Sequence, residues 1–482
     1  MGIEITQIER YIQNYDRRMA FHFGNVVASE GPHQYLHLTL NIDDRSTEGL
    51  SMSGMTPMWF LKNPNLSPTG ATEALLEVAA AACKHALVLD PAPTVFDLWH
   101  DLYERQRAWA ADTSHPPLLW AYGVSMVEQA IVDAFCRHRS TSFGQAVREG
   151  AFGIKPGRIY DELAGTIPAD YLPWTPAREA AIRHTVGLTD PLWPKEIDPA
   201  KRLDDGLPHS LLEYIDEQGV NHFKIKLSAD EESDAERLAR IGDVLDSSGL
   251  DSYYCTLDAN EQYGTVDTFK EQWRHHIENP AVDSVINHVL YVEQPLPRSE
   301  ALTEETRKVL RAWDERPPII IDESDDSLDS VGRAIECGYA GTSHKNCKGI
   351  FKGVVNACLI EKQRCEDNRE YVMSGEDLTT IGPIELLHDL AVMGTLGISH
   401  IERNGHHYYR GLSFLPKDLQ DRVLAAHEDL YRYHDEEFAT IKIEDGRIKF
   451  GSVVNAPFGR DFNFDPSQLT PVGQWDVEST YE

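Results

Sequence analysis

Eight short β-rich segments, each followed by a stretch with helical patterning, run in series through the middle of this chain. They begin near Ile182, His222, Tyr253, Val289, Pro318, Gly341, Glu370 and Ile398, at spacings of 23–40 residues. A strand, its crossover helix and the return to the next parallel strand need about 30 residues. Eight such units in series suit a closed barrel and do not suit a sandwich or a bundle. The intervening segments agree. DEESDAERLARIGDVLDSSG puts Leu238, Ile241, Val244 and Leu245 on one helical face and stops near Gly249. IGPIELLHDLAVMGTLG is read the same way. The predicted fold class is α/β, a (β/α)8 TIM barrel with a further α+β unit in front of it.

That front unit occupies the first third. Residues 1–60 read as strands, with YLHLTLNIDD alternating until Asp43-Asp44 ends it, and residues 70–150 read as helices. Near the other end, TIKIEDGRIKF reads as a hairpin around Asp445-Gly446. With 482 residues, one large domain plus a smaller one is expected. The division expected is 1–175, 176–417 for the barrel, and 418–482 for the tail.

The net charge of −33 makes nucleic acid an improbable partner, because an acidic surface repels phosphate backbones. Seven scattered cysteines without a C-x-x-C pair read as free thiols in a reducing compartment. The opening residues lack an apolar signal core, and no apolar run is long enough to span a bilayer. A cytoplasmic location without a membrane partner is expected.

Chemistry in such barrels gathers at the C-terminal ends of the strands. Here those ends are polar. The second strand ends with Lys224 and Lys226, two apart and so on one side of the strand. The third ends with Asp258 and Asn260, the fourth with Glu293, and the fifth with Asp322 and Glu323. A lone Asp after a strand is commonly a helix cap or turn residue. Here all of them fall in register, with the acids 35 and 29 residues apart, about one βα unit each. Three carboxylates meeting at one point repel unless a cation shares them. Such a hard oxygen site suits Mg²⁺, with Mn²⁺ as the alternative, held by Asp258, Glu293 and Asp322. Glu323 competes with Asp322 for the third place.

With these residues in hand the chain resembles the enolase superfamily, on the mandelate racemase and muconate lactonizing enzyme (muconate cycloisomerase) side. FKIK (223–226) looks like the second-strand K-x-K, and LDANEQ (257–262), YVEQP (291–295) and IIDES (320–324) look like its three metal-ligand strands. GVSMVEQAIVDAFCRHRSTSFGQAV resembles the helix that closes the family's capping domain. IKIEDGRIKF resembles the C-terminal segment that returns to the cap. The resemblance implies a cap over a barrel, one Mg²⁺, and removal of the α-proton of a small-molecule carboxylate to give a stabilised enediolate. In this superfamily the base is a Lys or His that works beside one or two Mg²⁺ ions. The resemblance also implies a homo-oligomer. Lys226 is then the candidate base, and Lys224 a candidate to bind a substrate carboxylate oxygen. Asn260 is expected near the cation's outer shell, and Glu402, at the end of the eighth strand, near the substrate carboxylate.

The sixth strand departs from the family pattern. In TSHKNCKGI (342–350), Ser343 stands where relatives with a second lysine carry it. Lys345, two residues on, is the candidate second acid or base, with Lys348 and the histidines His406 and His407 as alternatives. The seventh strand ends in MSGED without a histidine, so no His-Asp dyad is visible. Two opposed lysines suit a racemase, epimerase or cycloisomerase. A dehydratase of acid sugars, a lyase, is the second reading, and a non-catalytic metal-bound fold the third. Specificity is expected to come partly from Arg17–Gly24 and Gly49–Trp59.

Overall fold

A computed structural model describes residues 2–23, 26–63, 65–367, 369–435 and 437–480. Gly24, at the end of one expected specificity segment, lies outside the described residues. Three antiparallel strands come first: β1 (Ile3–Phe23), β2 (Val26–Ile42) and β3 (Arg45–Gly54). Asp43 and Asp44 turn β2 into β3 with φ of 52° and 64°, a left-handed pair that short polar side chains tolerate.

Three long helices follow, Pro68–Ala86, Val95–Ala110 and Pro117–Arg139; the third packs on β2 and β3, and the first two pack on the third. The first two start at Ser67 and Thr94, whose side chains accept from the backbone N–H of Gly70 and Asp97. The third helix lies so close to its neighbours that two glycines are required. A Cβ at Gly49 would stand 2.0 Å from the Ala130 carbonyl oxygen, and one at Gly123 would stand 2.3 Å from that of Val78.

The barrel follows. Its strands are β4 (Glu179–Val186), β5 (His222–Lys226), β6 (Tyr254–Asp258), β7 (Val289–Glu293), β8 (Ile319–Ile321), β9 (Gly341–His344), β10 (Val372–Gly375) and β11 (His400–Glu402). They pair in chain order, all parallel, and β11 closes on β4. The expected (β/α)8 barrel with a preceding α+β unit is therefore present. The helix Glu231–Ser247 buries Leu238, Ile241, Val244 and Leu245, as their spacing predicts. Parallel register sets the site: Lys226 pairs with Asp258, and Asp258 with Glu293, so these three side chains leave the strands at one level.

Two expectations change in the folded chain. The helix Glu385–Leu396 has no exposed face; it packs among Phe143–Arg148, Gly451–Asn455, Pro457–Gly459 and β3. The expected hairpin keeps its turn, with Asp445 and Gly446 at φ of 50° and 68°, but its arms part. Phe438–Ile441 pairs with Tyr431–His434, while Arg447–Lys449 adds antiparallel to β4. The strand that returns to the front sheet is instead Thr470–Pro471, on β1. All seven cysteines are free, six of them buried. Among the described residues no helix is long and apolar enough to cross a membrane.

The closely packed helix Glu385–Leu396 carries His388, which stacks at 4.1 Å on Phe458 with neither ring nitrogen hydrogen-bonded. Burial pushes its pKa down to about 3 despite Asp133 nearby. The unfolded chain takes up this proton below about pH 6.5 and the folded chain does not until about pH 3, so its contribution is lost as pH falls through that window. Between pH 7 and pH 5, His388→Gln is expected to lose about 2 kcal/mol less unfolding free energy than the parent chain. Urea titrations of both proteins at the two pH values measure it; parallel losses would contradict it.

Candidate active site

Alternation along β5 turns Phe223 and Ile225 toward the surrounding helices and Lys224 and Lys226 into the barrel. Lys224 Nζ is the hub of four carboxylates: Glu376 at 2.6 Å, Glu293 at 2.9 Å, Asp258 at 3.0 Å and Glu402 at 3.2 Å. Burial opposes its charge, but the four acids outweigh burial and hold Lys224 well above the ordinary lysine range. Lys226 Nζ donates to Asp258 at 2.5 Å and to Asn260 Oδ1 at 2.9 Å. Asn260 takes up this position with φ of 42° while its own N–H donates to Asp258.

Across the barrel, Asp322 lies just beyond β8 and accepts from Lys345 at 2.5 Å, Ser343 Oγ at 2.5 Å and Lys348 at 3.2 Å. Burial alone would raise its pKa; Lys345, Lys348 and Lys224 instead hold it far below the usual carboxylate range. Ser343 is thus a hydrogen-bond donor to this acid. Lys348 closes the short turn Asn346–Lys348 and points inward. Lys345 lies under the ring of Trp59, 4.6 Å from its centroid. Asp322 also outweighs the burial penalty on Lys345 and raises its pKa.

One cavity joins the two sides. Lys226, Asp258 and Asn260 line it on one side, Asp322 and Lys345 on the other, with Lys224 and Glu402 between. Thr56 and Trp59 reach it from the front unit, and Asp377–Thr379 from the loop after β10. The free space is about 20 Å³, enough for roughly one water. Lys226 ends the second strand and Lys345 follows the sixth, four strands away in a ring of eight, so they face each other across this space.

His407 is brought to a different place. Its Nδ1 meets the Tyr214 hydroxyl at 2.5 Å and its Nε2 faces Asp190 at 3.4 Å, in a buried aromatic cluster with His184, and it is not among the residues that line the cavity. Burial lowers the pKa of His407, with Asp190 opposing. His406 packs beside His184 in the same cluster.

Two groups of the site were not expected from the sequence. Glu376 binds Lys224 and forms an ion pair with Arg183, a wholly buried residue of β4. The polar run MSGED at the end of the seventh strand carries the signal for it, since a strand end rich in acids faces the same mouth as the other strand ends. Asp377, next to Glu376, is pushed up to about 8 by burial, against the pull of Arg403.

The fit of a divalent cation can be judged from these donors. Among the described residues no three His, Cys, Asp or Glu side chains are set as a ready-made ligand group. Asp258 and Glu293 meet at Lys224, whereas Asp322 faces Lys345 and Lys348. Yet Glu323 Oε2 is buried without a hydrogen-bond donor, and Glu293 Oε2 has beside it only the Lys224 ammonium that three other carboxylates share. Burial, with Asp258 and Glu376 adding to it, raises Glu293 well above its ordinary pKa. Hard oxygen atoms short of positive charge are a donor set that suits Mg²⁺.

No family model matches the chain, and no curated protein matches it in sequence. Solved structures do. A muconate lactonizing enzyme from Pseudomonas fluorescens, complexed with muconolactone, is 13% identical, with 96% of this chain and 98% of that one aligned at a TM-score of 0.58. The chain has their fold. A dipeptide epimerase from Enterococcus faecalis, complexed with Mg and L-Leu-L-Tyr, gives 13% identity, coverage of 95% and 99%, and a TM-score of 0.56. An enolase from Bradyrhizobium, complexed with magnesium and mandelic acid, gives 13%, 94% and 98%, and 0.54.

Proposed function

We propose that this chain is an enolase-superfamily enzyme of the mandelate racemase and muconate lactonizing side. It abstracts the α-proton of a small-molecule carboxylate and returns a proton to the opposite face, as a racemase or epimerase does; a cycloisomerase would use one of these proton transfers, with the making or breaking of a ring bond in place of the other. The observation that carries this reading is the pair Lys226 and Lys345, on opposite walls of one cavity floored by carboxylates. A divalent cation held by Asp258, Glu293 and Asp322 would supply the positive charge that a substrate carboxylate needs as its α-carbon becomes more electron-rich. Lys226 takes the proton from one face. Lys345, held protonated by Asp322, delivers one to the other. Lys224 and Glu402 orient the substrate carboxylate, and Trp59 excludes water from the Lys345 side. The magnesium-complexed dipeptide epimerase and mandelate-bound enolase of the same fold support the choice of cation and of a carboxylate substrate. The second reading, dehydration with a histidine or a glutamate assisting hydroxide departure, finds no histidine among the described residues that line the cavity and leaves that role to Glu402.

The test is solvent-deuterium exchange over a panel of dipeptides, N-acyl amino acids and acid sugars with Mg²⁺ present. Exchange with inversion is expected in the parent chain. Lys345→Ala should keep exchange on one face and lose inversion by about 100-fold or more. Inversion at the parent rate in that variant, or exchange of no substrate by the parent, would refute the two-lysine reading.

A further inference from the structure

The roof of the cavity is the short helix Pro57–Phe60 and the residues after it. Several side chains of the barrel meet this roof, and Arg298 makes the most contacts to its backbone. Arg298, in the loop after β7, donates to the carbonyl oxygens of Phe60 and Trp59, both at 3.1 Å. Those are terminal helix carbonyls, which need donors from outside the helix. The same guanidinium grips both oxygens of Glu261, each at 3.0 Å. Glu261 also accepts Lys62 Nζ at 2.6 Å, and that ammonium donates to the Asn260 carbonyl at 2.6 Å. A planar guanidinium can serve two carbonyls and a carboxylate together; an ammonium on a single stem cannot.

Both ends of this network lead to a lysine of the cavity. Trp59, 2% exposed, lies on Lys345, and the Asn260 side chain accepts from Lys226 at 2.9 Å. With the roof seated, the space beneath it is about 20 Å³, far below the volume of a carboxylate substrate. The roof has to lift for entry and reseat for proton transfer.

We propose that Arg298, through Glu261 and Lys62, is the latch that seats Trp59 over Lys345 and steadies Asn260 on Lys226. It is a positioning residue that touches no substrate. What the lysines do rests on the function proposed above; the latch itself does not.

The experiment has two arms. Hydrogen–deuterium exchange of the full chain compares the parent with R298A and R298K. Peptides within residues 54–63 are expected to exchange at least about 30-fold faster in R298A, while those of β5 and β9 keep the parent rate. R298K, which retains one contact with Glu261, should fall between, and it carries both arms if R298A does not fold. In the kinetic arm, R298A and W59L should each lower kcat about 10- to 100-fold with a smaller change in KM. The double variant should be no slower than W59L, because both changes remove the same seating. Parent-like protection of residues 54–63 in the Arg298 variants, or losses that multiply in the double variant, would overturn the latch. If the parent exchanges no α-proton at all, the proposed function fails, and the protection of residues 54–63 still decides for or against the latch.

Discussion

Lys226→Ala is expected to abolish solvent exchange at the substrate α-carbon, a loss of about 10³-fold or more. The lysine stands at the end of β5, nearly buried, with its ammonium in the cavity and fixed by Asp258 and Asn260. A methyl group at that place cannot accept a proton, Lys345 on the other wall is held protonated by Asp322, and no histidine is among the described residues lining the cavity. Lys226 donates to Asp258 and offers no oxygen to a cation, so the variant should bind Mg²⁺ at least as well as the parent. The pair of measurements, exchange by NMR and cation binding by calorimetry, separates a lost base from a damaged site. Exchange at close to the parent rate would place the base elsewhere.

Asp258→Asn is expected to weaken Mg²⁺ or Mn²⁺ binding by about 100-fold or more, since it removes a donor together with the charge that offsets the cation. Glu293→Gln should do the same. These acids leave adjacent strands at one level and already share Lys224. The third donor is decided by contrast. Asp322→Asn should abolish binding and Glu323→Gln should leave it measurable, because Asp322 lines the cavity while Glu323 faces Asn260 and Lys62. Calorimetric titration of the four variants gives the answer; binding kept in Asp322→Asn and lost in Glu323→Gln would reassign the third position to Glu323.

Strand ends are local features, and β alternation has a period of two, so Lys224 and Lys226 could be placed on one side of β5 from FKIK alone. Parallel strands in consecutive βα units share a register, so Asp258 and Glu293 at the ends of two such strands had to emerge at one level. The eight-unit series likewise fixed the barrel. The tertiary structure decided what depends on closure and on contact between distant segments. Arg183 reaches Glu376 only because β11 closes on β4, a pairing with no local period. Trp59 covers Lys345, and Arg298 holds Trp59, across 286 and 239 residues of chain respectively. His407 turns into the Tyr214 cluster, although its position after the eighth strand placed it as near the substrate as Glu402. Lys345 and Lys348 are both short steps from β9, and only the fold of the turn Asn346–Lys348 shows that both ammonium groups meet Asp322 while Lys345 alone lines the cavity. Local pattern specifies which way a side chain leaves its strand; which partner it meets is set by how the ring closes and what the cap lays over it.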